Sequence, residues 1–344
     1  MKALRLLEWQ RAPELLEVPE PEASSGEVVI EVAGAGACHS DLHLMHDFVP
    51  GLLPWGPPFT LGHENTGWIR QMGAGVTGLE IGDAVAVYGP WGCGHCRHCR
   101  MGMENYCEAP PAAPGGGLGR DGGMARYMLV PQARWLVPLG DLDPVMAAPL
   151  TDAGLTPYHA IKRSLGLLVP GSTAVVIGAG GLGHMAIQMV RELSPADVIA
   201  VDQNERALAS AAHAGAERTV VAGANAAAEV RELTRGRGAE LVLDLVGVDD
   251  TLSLAAQVVR PMGHLTLVGI GGGTLPISFF SIPYEASVAT TYWGSLPELY
   301  EVIALASSGR VWPTVTRYAL DQAMSAYDDM RAGRLDGRAV IVPS

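Results

Sequence analysis

The sequence predicts an α/β protein in two parts: a partly closed β-barrel followed by a doubly wound parallel sheet. Three observations predict it. The first 150 residues are rich in Gly and Pro and carry short alternating apolar runs. From about Thr173, apolar strand-like runs alternate with segments of helical period. Where the first of those runs meets the first helical segment stands Gly178-Ala179-Gly180-Gly181-Leu182-Gly183.

With 344 residues and 48% hydrophobic content, the chain can bury two cores and is not disordered. A net charge of -13 excludes a nucleic-acid or anionic-membrane surface, both of which need basic residues. No apolar run approaches the roughly 20 residues that span a bilayer, so no membrane partner is expected.

In chain order, Glu27 to Val32, Gly67 to Met72, Asp83 to Tyr88 and Ala125 to Val130 read as strands between turn signals. Cys93, Cys96, Cys99 and Cys107 interrupt them as C-x2-C-x2-C-x7-C. Four thiolates this close complete a tetrahedral shell around one Zn²⁺ with no open position, the arrangement of a structural site. A disulfide cluster fits less well, because no secretory signal precedes the chain and the setting reads as the reducing cytoplasm. The lobe is expected at about 92–108, with Gly92, Gly94 and Gly102 permitting the tight folding.

The second part predicts strands at 174–178, 198–202, 218–222, 240–246, 264–269 and 287–293. Helices are expected at 182–193, 204–213, 225–233 and 250–259, then 297–307 and 321–332 before a last strand at 338–342. Gly178 permits the tight turn, Gly180 a close backbone approach to a pyrophosphate, and Gly183 close helix–strand packing. The pyrophosphate then meets the positive end of the helix dipole. Asp202 ends the next strand, where a carboxylate binds ribose hydroxyls and repels a 2′-phosphate, which selects NAD over NADP. Val246, Val268 and Ile270 end sheet strands and either line the nicotinamide slot or belong to the core.

Cys38, His39, Ser40, Asp41 and His43 follow a glycine-rich strand end, His63-Glu64 comes 25 residues after Cys38, and Asp152 lies near the change of rhythm. A catalytic zinc needs three protein ligands and one open position, but spacing alone does not select the trio.

Taken together, Cys38-His39-Ser40, Gly62-His63-Glu64, the four-cysteine lobe, Gly178-x-Gly-x-x-Gly183 and Asp202 resemble the zinc-containing alcohol dehydrogenases of the medium-chain dehydrogenase/reductase superfamily. The resemblance covers essentially the whole chain. Val87 to Cys93, Pro149 to Tyr158 and Tyr292-Trp293-Gly294 are similar to the bacterial NAD-dependent secondary-alcohol dehydrogenases, used also as carbonyl reductases. It implies a GroES-like β-barrel catalytic domain at 1–153 and 294–344, and a Rossmann NAD-binding domain at 154–293.

The resemblance assigns Cys38, His63 and Asp152 to a catalytic zinc, giving two Zn²⁺ per subunit. Asp152 stands where better-known members have the second cysteine of the established Cys₂His shell. Glu64 is then a group one layer out, or an alternative ligand, and Asp41 orients His63. By the resemblance, Ser40 takes the alcohol's proton and passes it through the nicotinamide ribose hydroxyl to His43, which delivers it to solvent. His39 contacts the pyrophosphate and Thr156 packs on the nicotinamide. Trp55, Leu118, Tyr292 and Trp293 are the expected substrate pocket for a small alcohol or ketone.

A polyol- or aldehyde-handling enzyme of the same superfamily, a zinc-ribbon binding module and a catalytically silent dinucleotide binder are the alternatives. A homodimer or homotetramer is expected from sheet edges near Tyr284 to Trp293.

Asp202→Gly is expected to weaken the preference for NAD, read as the ratio of kcat/KM values for the two dinucleotides. An unchanged ratio would remove Asp202 from cofactor selection.

Overall fold

The computed structural model describes residues 1–109 and 113–343. Residues 110–112 and 344, which fall within the ranges expected for the catalytic domain, lie outside the described residues. Two compact units form: Met1–Leu155 with Ser295–Gly309 and Pro313–Ser344, and Thr156–Gly294 with Arg310–Trp312.

In the first unit, the buried strand Val28–Gly36 is the hub, pairing antiparallel with Glu64–Met72, Tyr127–Val130 and Arg338–Val342. Its sheet runs in the order Leu136–Pro138, Ala84–Val87, Glu64–Met72, Val28–Gly36, Arg338–Val342, Val315–Ala319. Register breaks after Val29 and Val32 bend the hub strand and curl the sheet. The strand outruns the expected Glu27 to Val32 because Ala33–Gly36, poor in β propensity, is held by neighbours on either side. A three-stranded sheet of Glu14–Glu17, Lys2–Leu6 and Phe59–Thr60 was not legible as alternation, nor was Val315–Ala319. The latter lies parallel to Arg338–Val342, with the helix Ala323–Arg331 between them in sequence.

The second unit is a parallel sheet in the order Arg218–Val221, Asp197–Asp202, Thr173–Ile177, Ala239–Asp244, Val259–Leu267, Ser287–Thr290. This is the doubly wound order, reversing beside Thr173–Ile177, where such sheets bind ligands. That central strand is buried throughout. The helix Gly181–Leu193 packs Met185, Ala186, Ile187, Met189 and Val190 inward, as its period dictates.

In the second unit, two boundaries differ from expectation by more than two residues. The helix Asp249–Val258 runs straight into a strand that begins at Val259, not His264, because a register shift opposite Ala239 and Leu241 absorbs Pro261 and Gly263. The last strand stops at Thr290, before Tyr292 and Trp293, and Trp293 turns away with φ 51°.

Gly178 has φ 90°, and a Cβ on Gly183 would lie 2.1 Å from the Gly178 carbonyl oxygen. Gly183→Ala should therefore cost about 1–3 kcal/mol through overpacking. Thermal unfolding checks this, and an unchanged midpoint would mean that the turn is not packed as described.

Candidate active site and metal centres

Strand register builds the first cluster. Gly36 pairs with Glu64, so the chain leaving one strand at Cys38 meets the chain entering the other at His63. Cys38 caps the helix His39–His46, and Asp41 in its first turn accepts the Cys38 N–H at 2.9 Å. Asp152 arrives at the end of the 3₁₀ turn Ala148–Thr151. Cys38, His63, Glu64 and Asp152 each present a donor atom within 4.8 Å of all the others.

His63 is buried, with Nδ1 3.1 Å from Asp41 Oδ1 and Nε2 3.7 Å from Asp152 Oδ2. A proton held on Nδ1 by Asp41 leaves the Nε2 lone pair to a metal. Ser40 Oγ lies 3.3 Å from that same Nε2. The Tyr327 hydroxyl donates to Asp41 Oδ2 at 2.9 Å. Glu64 is fully buried against Arg338, whose Nε donates to Oε2 at 3.0 Å, while Arg338 Nη2 stands 3.8 Å from Asp152 Oδ2. Burial pushes the Glu64 carboxyl up to about 7 against the pull of Arg338.

These residues fit a metal cation. Burial opposes a charge on His63, yet Asp41, Asp152 and Cys38 outweigh it and draw the imidazole toward its protonated form. A site that would charge its own histidine lacks positive charge, which a divalent cation supplies. The mixed sulfur, nitrogen and oxygen donors suit zinc.

In the lobe, the sulfurs of Cys93, Cys96, Cys99 and Cys107 also lie within 4.8 Å of one another. None of the five cysteines is in a disulfide. Backbone N–H groups point at the sulfurs: Cys93 to Cys107 at 3.3 Å, Cys96 to Cys93 at 3.4 Å, and Cys99 to Cys96 at 3.5 Å. Such donors favour thiolate and bring Cys96 down to about 6, whereas burial pushes Cys99 up to about 12. The donor set fits one zinc. Glu104, buried and ion-paired with Arg134, ties the lobe to the segment carrying Trp135, whose ring stacks on Trp91 at 5.1 Å.

In the second unit, Asp202 Oδ2 accepts the Ala179 N–H at 2.7 Å and Oδ1 the Asn204 N–H at 2.8 Å. The carboxylate is thus fixed beside the glycine turn with lone pairs left for ribose hydroxyls. A Cβ on Gly180 would meet nothing within 4 Å, so open space lies over the turn for a dinucleotide. Val246 approaches Gly178, while Val268 and Ile270 line a hollow of about 280 Å³ with Gly247 and Thr291. Val246 is 36% and Ile270 53% exposed, so neither is core. Thr156 is buried at the start of the helix Leu155–Lys162.

Residues 24–141 match the alcohol dehydrogenase GroES-like domain, and residues 181–308 match the zinc-binding dehydrogenase domain. The chain belongs to the zinc-binding alcohol dehydrogenase family. It is 37% identical to an NAD-dependent alcohol dehydrogenase of Sulfurisphaera tokodaii over the full length of both chains. It is 34% identical to a D-arabinose 1-dehydrogenase (NADP(+)) of Saccharolobus solfataricus, covering 99% of this chain and 97% of the other. Among solved structures, the alcohol dehydrogenase of Aeropyrum pernix is similar with a TM-score of 0.93 at 37% identity, over all of both chains. The acetophenone reductase of Geotrichum candidum, solved in complex with NAD, has a TM-score of 0.87 at 29% identity over 99% and 97%.

Against this family frame, the structure brings Cys38, Ser40, His63, Glu64 and Asp152 together around one point. His39 is exposed at the start of its helix, and His43 pairs with Asp47 one turn on. A Cβ on Gly117 would lie 2.8 Å from the His63 backbone nitrogen and one on Gly119 2.8 Å from the Trp55 ring, so the loop carrying Leu118 packs closely on both. Tyr292 is exposed and Trp293 buried, with their rings edge to face at 5.8 Å.

Arg338, Tyr327 and the Glu104–Arg134 pair were missed from sequence. Arg338 reads as the polar start of an apolar strand, and only the pairing of Arg338–Val342 with Val28–Gly36 reveals its partner.

Arg338→Met would strand Glu64 as a buried, unpaired carboxylate, a loss of about 3–5 kcal/mol for a broken buried pair. Urea unfolding should show this loss, and adding Glu64→Gln should recover part of it. A wild-type midpoint for Arg338→Met would contradict the ion pair.

Proposed function

We propose that this chain is an NAD-dependent, zinc-containing alcohol dehydrogenase that interconverts alcohols, secondary ones by preference, with ketones and aldehydes. The observation that carries the reading is the Cys38–His63–Asp152 donor set with Asp41 against Nδ1 of His63. Three protein ligands leave a fourth position for the substrate oxygen. A second zinc belongs to Cys93, Cys96, Cys99 and Cys107. When bound, zinc supplies a Lewis acid for that oxygen, and the nicotinamide exchanges hydride with the substrate carbon.

The chain's own groups do the rest. Asp41 keeps the His63 proton on Nδ1 and holds the Cys38 amide, which orients both ligands. Arg338 keeps Glu64 occupied, so Glu64 serves as a reserve ligand. Ser40 Oγ, beside Nε2 of His63, receives the alcohol's proton. His43 passes it outward: Asp47 holds Nδ1 at 2.5 Å, and the side chain is 23% exposed, which leaves Nε2 to exchange with solvent.

For the cofactor, the Gly178–Gly183 turn takes the pyrophosphate, and Asp202 takes the ribose. Thr156, Val246, Val268 and Ile270 face the nicotinamide end. Trp55 and Leu118 are assigned to the substrate pocket. Likeness to an acetophenone reductase supports ketone chemistry. The D-arabinose dehydrogenase relative favours a second reading, a sugar or polyol substrate. The aromatic packing of Trp55 on Trp9 and Phe59, each at 5.8 Å, makes a poor surface for a polyol.

We assign a homodimer, open to further assembly as a tetramer, with a cytoplasmic setting for its free thiols. The edge strand Ser287–Thr290, entered through exposed Phe279, Phe280 and Tyr284, supports self-pairing.

NADH formation from NAD⁺ should be faster with 1-phenylethanol than with benzyl alcohol, and Asp152→Ala should lose about one zinc equivalent together with activity. Faster turnover of the primary alcohol would overturn the pocket. Activity on D-arabinose alone would establish the second reading, and full zinc and activity in Asp152→Ala would make Glu64 the third ligand.

A further inference from the structure

The helix Ala323–Arg331 buries Ala323, Ala326, Tyr327 and Met330 in the first unit. Tyr327 is 0% exposed and among the largest fully buried side chains. Phenylalanine would fill the same volume without a polar atom to satisfy, so a tyrosine here calls for a partner. Its hydroxyl donates to Asp41 Oδ2 at 2.9 Å, across 286 residues of sequence, with Met124 Sδ at 3.5 Å as its other neighbour.

Asp41 is itself fully buried, and its oxygens meet three groups: the Cys38 N–H at 2.9 Å, the Tyr327 hydroxyl, and His63 Nδ1 at 3.1 Å. One carboxylate therefore links two ligands to a phenol from the far end of the chain. Burial and the Asp41 charge hold the Tyr327 hydroxyl well above its usual range, so it remains a donor. Two donors on Oδ2 hold that oxygen in place, with Oδ1 3.1 Å from Nδ1 of His63. Without the phenol, Asp41 Oδ2 keeps only the Cys38 N–H, and the carboxylate holds the His63 ring plane less firmly.

We propose that Tyr327 is a positioning residue for the Cys38–His63–Asp152 metal site, acting through Asp41 on the orientation of His63. The proposal rests on the zinc reading above, and its test separates the two. Zinc content and the rate of zinc release to a chromogenic chelator would be measured for the wild type, His63→Ala, Tyr327→Phe, Asp41→Asn and Asp41→Asn/Tyr327→Phe. Tyr318→Phe, which removes another phenol from a carboxylate, Asp329, serves as control.

His63→Ala should lack one zinc equivalent. If it does not, the zinc reading fails and the proposal falls with it. Tyr327→Phe should keep both zincs but release one about tenfold faster, the low end of effects for groups behind metal ligands. Its cobalt-substituted form should show a shifted d–d absorption band. In the Asp41→Asn background, Tyr327→Phe should add little, because the route through Asp41 is already cut.

A wild-type release rate with an unchanged cobalt band would reduce Tyr327 to core packing, as would a full additional loss in the double variant. If Tyr327→Phe is insoluble, 3-fluorotyrosine at position 327 keeps the ring and hydroxyl while altering the strength of the donor. A shifted cobalt band then supports the proposal, and an unshifted one refutes it.

Discussion

Asp41, Glu64 and Asp152 converge with Cys38 on His63 and Arg338, in a volume from which water is almost excluded. Isolated charges in such a place are far too costly to survive, so each must find an opposite charge or a donor. Arg338 answers Glu64, while Cys38 N–H and Tyr327 answer Asp41. Asp152 meets Arg338 at 3.8 Å and His63 at 3.7 Å, and a cation held among these donors would answer the charge that remains. The same shortage that makes the cluster expensive without metal makes it selective for one. Two strands bordering the cluster begin with residues that satisfy one another, Glu64 on one and Arg338 on the other.

The sequence conveyed what is local. The four-cysteine lobe, the glycine turn and the alternation of strands and helices each sit within a few dozen residues, and each has a spacing rule tied to its mechanism. Cys38, His63 and Asp152 were reachable only by resemblance, because a strand register rather than a spacing brings them together. Gly36 opposite Glu64 is the decisive pairing, and nothing in Ala33-Gly34-Ala35-Gly36 announces a strand. Arg338 and Tyr327 were out of reach for the same reason. An arginine at the head of an apolar run and a tyrosine on a helix are ordinary until their partners, 274 and 286 residues away, are in view. Val259–Leu267 shows the opposite error: the strand was expected to begin at His264, and a register shift lets it begin at Val259, ahead of Pro261 and Gly263.

The path of the chain gives these long-range partners a common origin. After the parallel sheet, the chain returns to the first unit as Leu296–Ser307, Val315–Ala319, Ala323–Arg331 and Arg338–Val342. The last of these pairs with Val28–Gly36 at Ala35 and Gly36, immediately before Cys38. The ligand-bearing segments come from Met1–Leu155, yet Arg338, which neutralises Glu64, and Tyr327, which donates to Asp41, come from the segment that begins at Pro313. Closing so long a loop costs entropy that grows only slowly with its length, so the insertion of a whole sheet between the two halves is tolerated. Glu64 and Asp41 would be costly to bury without Arg338 and Tyr327, so the buried cluster requires contacts from both ends of the chain at once.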